Sequence, residues 1–199
     1  MDIRTYITRS TVFPLPNKQA WEIVGNLEAI IRQLLAGLGA EYHIANEIAI
    51  HHTAQISPNA TINAPAIICE GCFVGAHSFL RNGVFLAPRA KIGISCEIKT
   101  AVILEESAIA HFNFVGDSII GHNVNIEAGA ILVNHYNERD EKTVFVCVDN
   151  ERISTGLHKF GSFVGDDCRI GANAVLSPGS VLKPRTIVKR LQLVEQDPQ

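Results

Sequence analysis

The fold is decided by residues 50–104, which read IHHTAQISPNATINAPAIICEGCFVGAHSFLRNGVFLAPRAKIGISCEIKTAVIL. Aliphatic residues recur here at every sixth position, and a compact residue follows each one four places later. A strand has a period of two and an α-helix a period of 3.6, so neither element alone predicts this pattern. A period of six is typical of a triangular coil, in which each hexapeptide forms one face, the aliphatic side chain points inward and successive turns pair as parallel strands. The aliphatic positions are Ile50, Ile56, Ile62, Ile68, Val74, Leu80, Leu86, Ile92, Ile98 and Leu104, and the compact positions are Ala54, Ala60, Ala66, Cys72, Ser78, Val84, Ala90, Cys96, Val102 and Ala108.

The phase of the repeat slips beyond this stretch. It shifts near Ala110, resumes with Val115, and shifts again before Ile120. Such a slip requires a bulged corner or a shortened face, and we expect it at His111. Irregularities in a regular scaffold are where function is expected. The sequence therefore directs attention to residues 111–134, HFNFVGDSIIGHNVNIEAGAILVN.

The repeat is lost between residues 134 and 162 and returns with Val164. Within the gap, residues 143–148 and 152–155 favour two short strands on either side of a turn at Asp149-Asn150. We therefore predict a loop that leaves the coil and carries a hairpin. Loops on a rigid scaffold often carry function, although a merely decorative insertion is equally compatible with the sequence.

An amphipathic helix is predicted before the coil. Pro14 and Pro16 interrupt regular structure near the N-terminus. From Asn17, which can cap a helix, apolar residues alternate at spacings of four and three as far as Leu38. Gly25 argues against a straight rod. We expect the helix to cover the open end of the coil, with a coiled-coil oligomer contact as the alternative.

These patterns divide the chain of 199 residues into three parts, with length enough for one sizeable core. Residues 1–49 form the lead-in and the helix. Residues 50–188 form the coil, with the loop inserted at about 134–162. Residues 189–199 turn polar and are expected to form a mobile tail. The expected class is all-β, a parallel β-helix with an N-terminal α-helix and an inserted hairpin loop.

Composition excludes several kinds of partner. A net charge of −3 and a pI near 6.2 give no electrostatic reason to expect nucleic acid or an anionic membrane. Neither a signal peptide nor a membrane-spanning run is found, and five cysteines without disulfide spacing fit a reducing, cytoplasmic location. Cys69 and Cys72 form a CxxC that could bind zinc. However, no second CxxC accompanies it, and Cys72 falls at a core-facing position, so we favour a structural role.

Two further motifs carry a family resemblance. They are GHNVNIEAGA at 121–130, followed by Asn134 at the right distance after His111, and TGLHKFGSFVGDDCRIGANAVLSPG at 155–179. In these motifs the chain resembles the left-handed β-helix acyltransferases. It is especially similar to the acetyltransferase half of the bifunctional enzymes that acetylate and uridylylate glucosamine 1-phosphate, and to the archaeal sugar-1-phosphate nucleotidylyltransferase/acetyltransferases. The left-handed sense comes from the resemblance, because parallel crossovers are otherwise right-handed.

The resemblance implies a site for direct transfer of an acetyl group from acetyl-CoA to an amino sugar phosphate, in a homotrimer, with no metal. The general base would be a histidine, since a neutral imidazole can accept the proton of the attacking amine. Backbone N–H groups near Ala128 could face the oxyanion. The implied site residues are catalytic His111 and Asn125, substrate-binding Arg81, Lys99, Phe114, Asn134 and Tyr136, and Ala128 and Ala172 beside the pantetheine arm.

The two cations can also be placed without the resemblance. Arg81 and Lys99 are eighteen residues apart, one full turn of three hexapeptides, so they should stack on the same corner of adjacent coils. Two stacked cations suit a phosphate dianion. Two positions depart from the family: Phe114 replaces its site tyrosine, and His135 followed by Tyr136 replaces the tyrosine after the second asparagine. These departures weaken the substrate assignment more than the reaction type.

Two other functions compete with the acetyltransferase. One is a non-catalytic scaffold for a separate sugar nucleotidylyltransferase, docked through the helix at residues 17–38. Nucleotidylyl transfer by this chain itself is not expected, because no Gly-rich nucleotide loop precedes that helix. The other is a zinc carbonic anhydrase of β-helix type, suggested by eight histidines. The spacing of His77, His111 and His122 does not match that family's triad.

Overall fold

The computed structural model describes residues 2–10, 12–15 and 17–197, so Pro16 lies outside the described residues. In chain order the elements are a 3-10 turn Ile3–Thr5, α1 Ala20–Gly25, α2 Leu27–Leu35, β1 Tyr42–Ala45, β2 Ile48–His51, β3 Gln55–Ile56, β4 Thr61–Ile62, β5 Ala66–Ile68, β6 Phe73–Val74, β7 Phe79–Leu86, β8 Lys91–Ile92, β9 Glu97–Ile103, β10 Ala108–Ile109, β11 Phe114–Ile120, β12 Asn125–Ile126, β13 Ile131–Leu132, β14 Phe145–Val148, β15 Glu151–Ser154, β16 Ser162–Val164, β17 Arg169–Ile170, β18 Val175–Leu176, β19 Ser180–Leu182, β20 Ile187–Val188 and β21 Leu193–Val194.

The strands wind into a three-faced coil, which confirms the predicted hexapeptide-repeat fold with its N-terminal helical region and inserted hairpin. Face 1 is the parallel sheet of β3, β6, β8, β10, β12, β17 and β20. Face 2 contains β4, β13, β18 and β21, and face 3 contains β2, β5, β16 and β19. The long strands β7, β9 and β11 bend around the corner that joins faces 2 and 3. The sense of winding stays a prediction.

Stacked aliphatic side chains fill the interior. On face 1, for example, Ile92, Ile109, Ile126 and Ile170 lie in register on successive coils and are essentially fully buried. Fully burying one such side chain contributes about 1.5–3 kcal/mol. The column is therefore the structural reason for the period of six.

The irregular corner lies elsewhere than predicted. Ile98 pairs with Leu80 eighteen residues before it but with Val115 only seventeen after it. The residue is lost at the corner between faces 2 and 3, where Thr100 alone adopts a positive φ; one coil earlier, Asn82 and Gly83 both do. The expectation of a slip at His111 was wrong, since the aliphatic residues on either side of His111 keep their spacing of six.

The shortened corner moves the register of everything that follows by one residue. Ile103, and not Leu104, pairs with Leu86 on face 3. Ser107, and not Ala108, takes the next compact corner, where its hydroxyl donates to the Gly121 carbonyl and accepts from the Val124 N–H. Ala101, and not Val102, likewise pairs with the compact residue Val84. All three displaced positions in the predicted series thus follow from a single missing corner residue.

Face 3 is covered by the N-terminal region, which corrects the prediction that the helix closes the open end. Its outward side chains are buried, namely Ile67, Phe85, Val102, Ile119 and Phe163. Phe13 packs edge-on against Phe85 with ring centroids 5.0 Å apart, and Trp21 packs similarly against Phe160 at 6.1 Å. Three-residue apolar strands such as Ala66–Ile68, with both sides buried, could have indicated a covered face.

The helical region is broken, as Gly25 suggested. α1 ends at Gly25 and α2 begins at Leu27, with Asn26 between them. The N-cap is Gln19, whose backbone N–H donates to the Glu22 carboxylate at 2.7 Å, so the predicted cap at Asn17 was wrong. No helix in the described ranges is both long and apolar enough to cross a membrane.

The C-terminal boundary also differs from the prediction. Strand β21 pairs with β18, so the coil continues past residue 188. Asp197 is buried and binds two arginines of the inserted loop. The polar residues 189–197 are therefore part of the coil and its contacts rather than a mobile tail, while Pro198 and Gln199 lie outside the described residues.

Candidate functional site

His111 lies at the corner between faces 1 and 2, which we call the His111 corner. The strand register places Ala128 and Ala172 directly along the same corner on the next two coils. A backbone ladder joins them, since Gly129 N–H donates to the His111 carbonyl at 2.8 Å and Asn173 N–H donates to the Ala128 carbonyl at 3.0 Å. The structure therefore brings together three of the predicted site residues.

The groups at the His111 corner are open. His111 is exposed, and its side chain has no hydrogen-bond or ion-pair partner among the described residues. The Ala128 N–H likewise has no acceptor in the part of the chain that the structure describes. The Ala172 N–H differs, because it donates to Glu127 at 2.8 Å. One imidazole and one backbone N–H are thus free to meet a ligand.

Gly93 sets how closely the coils approach at this corner. A Cβ at residue 93 would lie 1.6 Å from the Ala110 carbonyl oxygen and 3.0 Å from His111 Nδ1. Any other residue would push the next coil outward, so glycine is needed here for close approach. The position of the His111 ring depends on this contact.

A charged groove lies beside the His111 corner on face 1. It has a volume of about 480 Å³, and its lining includes Asn125, Glu127, Arg169, Lys189 and Arg190. Arg190 binds Glu127 through two hydrogen bonds of 2.6 and 2.8 Å, and these lower the pKa of the Glu127 carboxyl, helped by the Ala172 N–H. Arg169 and Lys189 form no ion pair with any described residue. The groove therefore offers two unpaired cations next to the predicted Asn125.

Lys99 lies at the corner between faces 2 and 3, which we call the Lys99 corner. Arg81 and Lys99 are register partners on adjacent coils, which confirms their predicted stacking. Lys99 Nζ contacts both carboxylate oxygens of Asp117, at 2.6 and 2.9 Å, and Asn134 Nδ2 donates to the same carboxylate. Asp117 is thus a buried centre that holds a predicted phosphate ligand and a predicted site asparagine together.

Arg81 is paired as well, but less completely. Its Nε and Nη2 contact Glu97 Oε1 at 2.8 and 2.6 Å, and its Nη1 lies 3.3 Å from Asn82 Oδ1. The Arg81 side chain is 29% exposed, against 13% for Lys99. The two cations and two carboxylates at this corner carry no net charge.

Phe114 connects the two corners across face 2. A Cβ at Gly116 would lie 2.6 Å from Phe114 Cζ and 2.9 Å from Asn134 Nδ2, so the ring reaches over Gly116 toward Asn134. Phe114 stands where the family resemblance implies a tyrosine. The surface between the His111 and Lys99 corners is therefore apolar at this point.

Tyr136 does not join the other predicted residues. Its ring is buried, its hydroxyl donates to the Pro178 carbonyl at 2.9 Å, and Arg139 covers one ring face at 3.5 Å. His135, one place earlier, is exposed and its Nδ1 lies 3.1 Å from Asn134 Oδ1. Tyr136 therefore supports the loop rather than presenting a hydroxyl to a ligand.

Asp117 and Glu97 were missed in the sequence. Asp117 is eighteen residues after Lys99, the same spacing that linked Arg81 to Lys99, so extending that series by one turn would have found it. However, the register partner of Lys99 is Gly116 and not Asp117, because the corner is one residue short. The spacing signal was present, but only the structure shows that the carboxylate is buried between Lys99 and Asn134.

Both cysteines of the CxxC segment are buried. Cys72 is buried at its repeat position, with its thiol 3.1 Å from the Ala87 carbonyl oxygen. Burial raises the pKa of Cys69 to about 11 and that of Cys72 to about 12. In the described part of the chain, no group of three or more His, Cys, Asp and Glu side chains converges as metal ligands would. Cys72 is a core residue, as its place in the repeat predicted.

Comparison with known proteins identifies the family. The GMPPB C-terminal domain model matches residues 74–190, more than half of the chain. The chain belongs to this family. It is 37% identical over 150 residues to the bifunctional sugar-1-phosphate nucleotidylyltransferase/acetyltransferase of Sulfurisphaera tokodaii, an alignment that covers 75% of this chain and 37% of that protein. It is also 28% identical over 186 residues to the putative uncharacterized acetyltransferase YaiX of Escherichia coli K12, covering 92% of this chain and 80% of that one.

Solved structures agree on the fold. A hexapeptide transferase family protein from Anaplasma phagocytophilum superposes with a TM-score of 0.51 at 19% identity, covering 70% of this chain and 72% of that one.

The bifunctional protein GlmU of Methanococcus vannielii is a further relative, of which the chain spans 42%. The resemblance to hexapeptide-repeat acyltransferases is thus confirmed, although the chain spans less than half of its bifunctional relatives.

Proposed function

We propose that this chain is an acetyltransferase that moves the acetyl group of acetyl-CoA to the amino group of a hexosamine 1-phosphate. The observation that carries the proposal is the layout of face 2. A free imidazole and a free backbone N–H border one edge, stacked cations with Asn134 border the other, and Phe114 lies between. The edges are roughly 10–15 Å apart, since four extended residues separate them. A hexosamine phosphate and a thioester laid end to end can bridge that distance.

His111 would act as the general base. The nitrogen of the substrate amine attacks the thioester carbonyl, and the neutral imidazole accepts a proton from that amine. The Ala128 N–H donates a hydrogen bond to the oxyanion that forms, and the thiolate of coenzyme A then leaves. Asn125 would orient the sugar from face 1. His111 is exposed and unpaired in the described residues, which supports this role because no partner competes for its ring nitrogens.

The phosphate would bind mainly to Arg81. Arg81 is the more exposed cation and its Nη1 contacts an amide rather than a carboxylate. Lys99 is engaged by both oxygens of Asp117, so it would make a second charge-assisted contact that the phosphate shares with that carboxylate. Planar guanidinium groups also match phosphate geometry better than an ammonium does.

Acetyl-CoA would lie along the His111 corner, with its pantetheine arm beside Ala128 and Ala172. The groove next to this corner supplies Arg169 and Lys189 for the phosphates of the cofactor. The proposal includes a homotrimer, as in the family, because flat faces of a triangular coil pack around a threefold axis. Five free cysteines fit the cytoplasm, where acetyl-CoA is available.

One observation favours the non-catalytic scaffold. The cations at the Lys99 corner are neutralised by Glu97 and Asp117, so a phosphate dianion must compete with two carboxylates. Against it, most apolar residues of α1 and α2 are buried in the chain's own core and are not available for docking a separate enzyme. We therefore retain the enzyme as the better proposal.

The decisive test is release of free thiol from acetyl-CoA with a panel of hexosamine 1-phosphates, with the unphosphorylated amino sugars as matched controls. Turnover that needs the phosphate supports the proposal. Calorimetry at millimolar ligand that detects neither a sugar phosphate nor acetyl-CoA would leave the scaffold as the better function. Light scattering at micromolar concentration should give a trimer, and a monomer would count against the proposed oligomer.

A further inference from the structure

A buried charge cluster ties the inserted loop to the last coil. Arg139 Nη1 lies 3.1 Å from Asp197 Oδ2, and Arg152 Nε lies 2.6 Å from Asp197 Oδ1. The side chains of Arg139 and Asp197 are only 6% and 5% exposed. Glu195 adds a second carboxylate 3.8 Å from Arg139, so two cations face two anions. A buried ion pair whose partners are fully hydrogen-bonded is strongly destabilised by loss of either member.

The two arginines hold different parts of the loop. Arg152 belongs to the hairpin, is half exposed, and stacks over the Phe145 ring at 3.4 Å. Arg139 is buried and stacks over Tyr136 at 3.5 Å, while the Tyr136 hydroxyl donates to the Pro178 carbonyl on the coil. Only the Arg139 branch therefore leads toward Asn134, two residues before Tyr136.

Asn134 links the start of the inserted loop to the Lys99 corner. Its side chain donates to Asp117, which binds Lys99, and its carbonyl accepts from the Phe160 N–H where the loop rejoins the coil. Contacts lead from Asp197 through Arg139 to Tyr136, the backbone joins Tyr136 to Asn134 two residues earlier, and contacts lead on from Asn134 to Asp117 and Lys99. A chain of packed and hydrogen-bonded groups of this kind can transmit a change over such a distance.

We propose that Asp197 and Arg139 are positioning residues for the substrate end of the site. They fix the start of the inserted loop and thereby the placement of Asn134 and the Asp117–Lys99 pair. The inference rests on the proposed function, because it assigns the Lys99 corner to substrate. It gives the inserted loop a role: the loop supports Asn134 from the C-terminal coil and leaves the His111 corner alone.

The test compares Asp197→Asn and Arg139→Gln with the matched control Arg152→Gln, which breaks the same cluster on its hairpin side. We expect the first two to raise the KM for the hexosamine phosphate roughly 3- to 30-fold, the range found for coupling through contact networks. The KM for acetyl-CoA should stay within about twofold, and Arg152→Gln should change neither KM by more than about threefold. Hydrogen exchange should become faster at residues 134–142 in the first two variants only.

The outcomes separate the two proposals. Active wild type with an unchanged sugar phosphate KM in Asp197→Asn overturns the positioning role, even if loop exchange becomes faster. An equal rise of both KM values also overturns it, because a general loss of structure explains that result. Wild type that turns over no hexosamine phosphate overturns the proposed function and this inference together. Should Asp197→Asn and Arg139→Gln fail to fold, Arg139→Lys replaces them. This variant keeps the charge but loses the flat stacking on Tyr136. If its KM values for the hexosamine phosphate and for acetyl-CoA both equal those of the wild type, the positioning role is overturned.

Discussion

The His111 and Lys99 corners border the same face of the coil but differ in how far their polar groups are satisfied. At the His111 corner, the imidazole and the Ala128 N–H have no partner among the described residues. At the Lys99 corner, each cation is paired with a carboxylate, and Asp117 accepts from both Lys99 and Asn134. An unpaired imidazole can accept a proton from a ligand and an unpaired N–H can donate a hydrogen bond to it, whereas a fully hydrogen-bonded network keeps its side chains in fixed positions. We therefore expect the chemistry at the His111 corner and the placement of the substrate at the Lys99 corner.

The largest effect should come from removing the free group. His111→Ala is expected to lower kcat by ~10²–10⁴-fold, as is usual for loss of a general base, and to leave thermal stability unchanged because the side chain is exposed. Steady-state thiol release measures this. His43→Ala, at an exposed histidine on β1, serves as the control and should be neutral. A loss below tenfold would show that another group takes the proton.

Breaking the satisfied corner should cost stability as well as affinity. Lys99→Ala leaves the buried Asp117 carboxylate without its cation, so we expect a loss of about 3 kcal/mol in urea denaturation. The KM for a sugar phosphate should rise by on the order of ten- to a hundredfold, the value of one charge-assisted contact, while acetyl-CoA affinity barely changes. An unphosphorylated amino sugar should discriminate little between wild type and mutant.

A compensating double variant sharpens this prediction. Lys99→Met with Asp117→Asn removes both charges at once, so most of the stability should return while the KM for the phosphate stays high. If the double variant is as unstable as Lys99→Ala, the pair is not the source of the stability. Recovery of phosphate affinity in the double variant would argue that Arg81 alone binds the phosphate.

A smaller effect is expected between the corners. Gly116→Ala places a methyl group 2.6 Å from the Phe114 ring and 2.9 Å from Asn134 Nδ2. Overpacking of this kind costs about 1–3 kcal/mol, here at the low end because Phe114 is only half buried and can move. Gly37→Ala, whose Cβ would lie 3.7 Å from the nearest atom, is the control. Equal melting temperatures for the two variants would contradict the close contact.

The smallest effect concerns the remaining corner, where the N-terminal segment is attached. Hydrogen bonds from Arg9 and then Asn123 lower the pKa of Asp167 to about 2 from an ordinary value of 3.8. A depressed folded-state pKa contributes stability above pH 3.8 that is lost as the pH falls toward about 2. The ion pair is largely exposed, so its contribution is only ~0–1 kcal/mol. The urea midpoints of wild type and Asp167→Asn should therefore differ slightly at pH 5 and converge below pH 3.8. A difference that grows on acidification would contradict a stabilising contribution from the Asp167 carboxylate.

The same contrast between local and long-range information explains what could be predicted. The repeat of six is a local property, so the coil, the loop at 134–162 and its hairpin at Asp149-Asn150 could be predicted. The covered face 3 was missed because the N-terminal residues that cover it contact strands more than fifty residues away. The misplaced slip had a different cause: periodicity reports that one residue is missing between Ile98 and Ile109, but not which of two corners lost it.

The sequence by itself determined the three-faced coil and the stacking of Arg81 on Lys99, because both follow from the fixed length of a turn. The tertiary structure alone decided which polar groups are free. Asp117 is buried at a corner shortened to a single positive-φ residue, the Tyr136 hydroxyl donates to the Pro178 carbonyl, and Asp197 binds Arg139 fifty-eight residues earlier. Such partners are chosen by corner geometry and side-chain direction, which a periodic pattern does not encode.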